Sequence, residues 1–117
     1  MSEYNYKKYS QRQDKRVAKL TNQEIVRNSG AVRGRRGDLR KQNLLSETKT
    51  TIRSQKTFTL RREWFDKIDQ QAFQMGKEFG IIIFSFGDNK DFVACSLEDF
   101  DQIYESKCQL ERKIVKP

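Results

Sequence analysis

The apolar positions fall into short blocks whose period changes along the chain, and each change predicts a new element. From Ser10 to about Leu20 the spacing of Val17, Ala18 and Leu20 suits a helix, with Ser10 placed to cap its start. Asn22 breaks that pattern, and residues 23–27 read as a short strand. Asp38–Arg40 and Leu44–Thr51 alternate as two strands joined by a polar turn at Lys41–Asn43. From Thr59 to about Met75, the residues Leu60, Trp64, Phe65, Ile68, Ala72 and Met75 recur at three- and four-residue steps. That period predicts an amphipathic helix, which Gly76 ends. Phe79–Phe86 is continuously apolar apart from Gly80 and Ser85 and predicts a buried strand. A Gly87–Lys90 turn follows, then a strand over Asp91–Ser96 and a helix capped by Ser96 that carries Phe100, Ile103 and Tyr104. The predicted order is α-β-β-β-α-β-β-α, an α/β domain with a central mixed sheet flanked by helices.

A chain of 117 residues supplies one domain with a modest core. Residues 1–9 are polar and rich in tyrosine and lysine, and read as a flexible arm. Tyr4, Tyr6 and Tyr9 sit in it beside Lys7 and Lys8, a pattern for which disorder is favoured over a binding arm. Residues 113–117 read as a tail. Trp64 and Phe65 lie at core spacing, so packing is favoured over base stacking, and Ile81–Phe86 reads as core. The longest apolar run is far too short to span a membrane and the N-terminus has no signal-peptide core, so the expectation is a soluble, cytoplasmic protein. Cys95 and Cys108 lack metal-type spacing and read as reduced thiols.

Charge adds direction to this outline. The net charge is +8, and it is unevenly placed. Residues 1–62 hold 17 of the basic side chains against 5 acidic ones, a net of +12, whereas residues 63–117 are net −4. A basic half beside an acidic half implies a directed face toward a polyanion, with nucleic acid the favoured partner. Asn28–Gly37 is dense in glycine and arginine. Gly30, Gly34 and Gly37 remove side chains while Arg33, Arg35 and Arg36 supply charge, as suits either a phosphate-contacting loop or an ordinary connection. Arg53, Ser54 and Lys56 follow the third strand as further candidate phosphate contacts.

The chain has no histidine, which excludes histidine bases, histidine zinc sites and Ser-His-Asp chemistry. One constellation remains for hydrolysis: Gly37-Asp38, then Glu47-Thr48-Lys49. Residues two apart in a strand share a face, so Glu47 and Lys49 are presented together, and hairpin pairing brings Asp38 near Glu47. Two carboxylates at one spot suit a hard divalent cation, which acidifies water without histidine. A neighbouring lysine can orient that water or stabilise developing charge.

Gly37-Asp38 with Glu47-Thr48-Lys49 resembles the PD-(D/E)XK nuclease signature, with glycine standing where the naming proline would be. The surrounding pattern is similar to archaeal-type Holliday junction resolvases and related small phage endonucleases. It extends over Gln13-Asp14-Lys15 with Val17-Ala18, Asn28-Ser29-Gly30-Ala31, Thr50-Thr51 to Ser54, the following helix and the Ile81–Phe86 strand. The resemblance implies a restriction-endonuclease-like nuclease domain over residues 10–112. It further implies a homodimer that nicks four-way or other branched DNA with Mg²⁺ or Mn²⁺. By position, Asp38 and Glu47 would be metal ligands with the Thr48 carbonyl, and Lys49 the catalytic lysine. Asp14 would take the place of the family's first-helix glutamate. Another nuclease of the same superfamily, or a non-catalytic DNA-binding protein, are the alternatives.

Overall fold

A computed structural model of the chain describes residues 3–26 and 37–115. Its elements are α1 (Glu3–Thr21), β1 (Glu24–Ile25), β2 (Leu39–Lys41), β3 (Leu44–Thr50), α2 (Arg62–Gln74), β4 (Phe79–Ser85), β5 (Asp91–Ala94) and α3 (Leu97–Val115). The order is the one the apolar pattern predicts. The five strands form one sheet in the order β1-β2-β3-β4-β5. Only β3 and β4 run parallel; the other three pairings are antiparallel. The α2 segment supplies the crossover that a parallel pair requires.

Alternation along β3 and β4 splits the core into two layers. Leu39, Ile81 and Ile83 pack with Val17 of α1 on one face, joined by Ala18, Ile25, Leu44 and Cys95. On the other face Leu45 and Ile82 pack with Ile68 and Ala72 of α2, flanked by Trp64, Phe65, Met75 and Ala94. Trp64 and Phe65 are therefore packing residues, as their spacing indicates. Gly80 makes the second layer possible, because a Cβ there would stand 2.8 Å from the Ile68 carbonyl oxygen.

Several boundaries differ from the sequence expectation. Helix α1 begins at Glu3 instead of Ser10, so residues 3–9 continue the helix and Ser10 is not its cap. The spacing Tyr6–Ser10–Gln13–Val17 gives the reason: it keeps one face toward the sheet for three turns. Leu20 is 79% exposed and lies off that face. Helix α2 starts at Arg62, leaving Leu60 outside it and exposed. The final helix reaches Val115, and so takes in residues expected to form a tail. Its cap is as expected, the Asp99 N–H donating to Ser96 Oγ at 3.1 Å. No helix among the described residues is long and apolar enough to cross a membrane.

Candidate active site

β3 is the strand on which the site is built. Leu45 belongs to the α2-side layer; by alternation Glu47 and Lys49 rise from that same face, while Ser46 and Thr48 face α1. Register with β2 ends at Ser46, which pairs with Leu39, so β2 and β3 separate beside Glu47 and Thr48. Asp38 sits in that opening. Its backbone N–H donates to Ser46 O at 2.9 Å, and its Oδ2 accepts from the Thr48 N–H at 2.8 Å. A strand residue sends its N–H and C=O to the same edge, so the Thr48 carbonyl also projects toward Asp38.

From the other face, α1 delivers Asp14. The Thr48 hydroxyl bridges Asp14 Oδ1 and Asp38 Oδ2, the latter at 3.1 Å. A hydroxyl has a single proton to give, so two carboxylate acceptors leave one contact short of hydrogen. Burial, followed by the charge of Asp38, lifts the Asp14 pKa to about 6 against the opposing bond from Thr48. Below that value Asp14 itself carries the proton that the second contact lacks.

Glu47 is also pushed upward, chiefly by burial and further by Asp38, against the pull of Lys49 and Lys67. Among the described residues its Oε2 is buried without a hydrogen-bond partner. Such an atom carries a desolvation cost that a bound cation would offset. Lys49 extends over the Trp64 ring, with Nζ 4.6 Å from the ring centroid. The indole thereby sets the direction of the ammonium.

Asp14, Asp38 and Thr48 are thus joined by direct hydrogen bonds, and Glu47 and Lys49 rise from the opposite face of β3, with Glu47 within electrostatic reach of Asp38. Among the described residues, no three acidic or thiol side chains are gathered into a ready-made metal cage. The donor set still fits a hard divalent ion: two carboxylates at the strand opening, a carbonyl on the same edge and one unpartnered buried oxygen.

Three residues with no role in the site on sequence grounds, Gln13, Arg16 and Tyr6, support this arrangement. Gln13, only 1% exposed, donates from Nε2 to Lys49 O at 2.8 Å and to Asp91 Oδ1 at 3.2 Å. Arg16 then clamps Asp91 through Nε at 2.7 Å. Tyr6, two turns before Asp14, has its phenol pKa raised by burial and then by Asp38, Glu47 and Asp14. The Tyr6 side chain stays partly exposed. The helical spacing of Tyr6 with Gln13 was the signal in the sequence, hidden by the polar composition around it.

Gly37 has φ +76°, and a Cβ would lie 2.8 Å from the Leu45 side chain. Proline cannot adopt that φ, so the turn into β2 is built for glycine. Arg53, Ser54 and Lys56 are exposed on the loop that leaves β3. That loop is held by the Gln55 N–H donating to Phe86 O at 2.8 Å. Beside it a polar cleft opens at the carboxyl ends of β3 and β4, lined by Tyr9, Arg12, Arg16, Thr50, Thr51 and Asn89 among others. Arg33, Arg35 and Arg36 lie outside the described residues. No family model, curated protein or solved structure matches the chain.

Proposed function

We infer that the chain is a metal-dependent phosphodiesterase acting on DNA, with a restriction-endonuclease-like centre of the PD-(D/E)XK type. The observation that carries this reading is the buried, unpartnered Glu47 Oε2 beside Asp38 and Lys49, at the point where β2 and β3 separate. Asp38, Glu47 and the Thr48 carbonyl would hold Mg²⁺ or Mn²⁺, with Asp14 reaching it directly or through water. When bound, the ion supplies a Lewis acid for the scissile phosphate and acidifies an attacking water. Lys49, directed by Trp64, donates to a phosphate oxygen or orients the water. Asp14 is suited to hold a proton near neutral pH, where the reaction must release and accept one. The basic loop and cleft at the end of β3 supply contacts to flanking phosphates.

The resemblance to junction resolvases names four-way or otherwise branched DNA as the substrate and a homodimer as the active form. The test is incubation with labelled four-way junction, flap and linear duplex in Mg²⁺ and in Mn²⁺, with thermal unfolding followed in parallel. Paired nicks near the branch point are expected, together with a metal-induced rise in Tm. Asp38→Asn, Glu47→Gln and Lys49→Ala should each lose cleavage by at least about 100-fold while retaining DNA binding. Glu47→Gln should also lose the metal-induced rise in Tm. Absence of cleavage on every substrate with both metals overturns the reading, as does DNA binding untouched by chelator and cleavage unchanged in Asp38→Asn.

A further inference from the structure

Helix α3 runs for 19 residues, about 28 Å at the standard rise, without packing along any other helix or strand among the described residues. Its apolar side chains nevertheless keep a strict order. Phe100, Ile103, Leu110 and Ile114, with Lys107 between, recur in steps of three, four, three and four, which is a heptad seam. Leu97 and Tyr104 border that seam, and Phe100 stacks on Tyr104 at 6.0 Å between centroids. These residues are exposed, Leu97 by 80% and Ile114 by 74%. Both core layers are closed without them. A row of this size is costly to leave in water and suits a partner helix.

The charges on the helix say which helix. Residues 97–105 carry four acidic side chains (Glu98, Asp99, Asp101, Glu105) and no basic one. Residues 106–115 carry Lys107, Arg112 and Lys113 against Glu111 alone. The helix is therefore complementary in charge to its own reverse. We propose that two copies of the chain associate through α3, the two helices lying antiparallel along the Phe100–Ile114 seam.

Heptad geometry agrees with that direction. With Phe100 and Lys107 at the first core position and Ile103 and Leu110 at the second, a parallel pair would set Lys107 against Lys107 of the partner subunit. An antiparallel pair sets first positions against second ones, so Phe100 meets Leu110 of the partner subunit. Lys107 then lies beside Ile103 of the partner subunit. In that register Asp99 flanks Lys113 of the partner subunit, and two-fold symmetry makes the contact twice. A seam of this length sits at the small end of specific interfaces, which implies a dimer that dissociates at micromolar concentrations. The association is independent of the chemistry assigned to the acidic site.

The test is sedimentation equilibrium of the full chain across micromolar concentrations. Wild type should titrate from monomer to dimer. Ile103→Asp should raise the dimer dissociation constant at least about thirtyfold, the equivalent of losing a hot spot of about 2 kcal/mol. Fluorescence of Trp64, packed in the α2 layer, checks that the body of the variant is intact. Direction is read from charge reversal. Asp99→Lys and Lys113→Asp should each weaken the dimer, and the double variant should recover most of the loss. A parallel pair keeps the two positions two heptads apart and gives no recovery. A wild type that stays monomeric, a dimer indifferent to Ile103→Asp, or a double variant without recovery overturns the proposal.

Discussion

At the scale of single residues, the site is organised by hydrogen-bond arithmetic around Thr48. Its N–H and hydroxyl are both committed to carboxylates, and one hydroxyl proton cannot serve both Asp14 and Asp38. Burial keeps Asp14 protonated until about pH 6, well above the usual range of an aspartate. The linkage sign follows from that direction. Between the unfolded pKa near 3.8 and the folded value of about 6, the native state holds a proton that the unfolded chain has released. The metal-free protein should therefore lose stability as pH rises through this window. Asp14→Asn should flatten that part of the profile, as measured by thermal unfolding in chelator at a series of pH values. A slope identical in wild type and Asp14→Asn would show that Asp14 is not the group responsible.

At the scale of elements, α1 is what assembles the site. It carries Asp14 to one face of β3, Tyr6 within electrostatic reach of the carboxylates, and Gln13 to the Lys49 carbonyl. Gln13 also ties this contact to Asp91 on β5, so one amide locks a helix to two strands. Gln13→Ala leaves the Lys49 carbonyl without its side-chain donor and Asp91 with one donor fewer. Urea denaturation should show a loss of about 1–3 kcal/mol. A change below a few tenths would mean that water replaces the amide at no cost. The order of elements was legible because strand alternation and the three-to-four step of α2 are strong local signals. The start of α1 was not, since the polar residues around Tyr6 read as an arm and Ser10 as a cap until Gln13 and Val17 fix the face they share. Asp38, Glu47 and Lys49 were legible from strand period and hairpin pairing. Gln13 was not, because its partners lie 36 and 78 residues away and no local pattern announces them. The exposure of α3 was equally hidden, since Phe100, Ile103 and Tyr104 have the spacing of core residues and nothing local says that no core meets them.

At the scale of the whole molecule, the two halves of the charge distribution occupy different structures. The acidic excess belongs largely to α2, β5 and the first half of α3. Among the described residues, much of the basic excess lies on α1 and on the loop after β3, where Arg12 lines the cleft at the carboxyl end of the strand that bears Lys49 and Arg53 and Lys56 are exposed on the loop that leaves it. Arg16 is spent on Asp91, whereas Arg12 lies against the Tyr9 ring at 5.7 Å and lines the cleft. If this end carries the phosphate backbone, each basic side chain in contact releases counterions, and the logarithm of the binding constant falls with the logarithm of salt by about 0.9 per contact on duplex. Arg53→Ala and Lys56→Ala should each weaken binding evenly across DNA sequences and reduce the salt slope by about 1. Arg112→Ala, on α3 and not among the residues lining that cleft, should leave the slope unchanged. Filter binding or fluorescence anisotropy at a series of salt concentrations in chelator separates these outcomes. An equal effect from Arg112→Ala would move the nucleic-acid face off the β3 end altogether. The basic half would then be a general solvating charge with no tie to Lys49 and its neighbouring carboxylates.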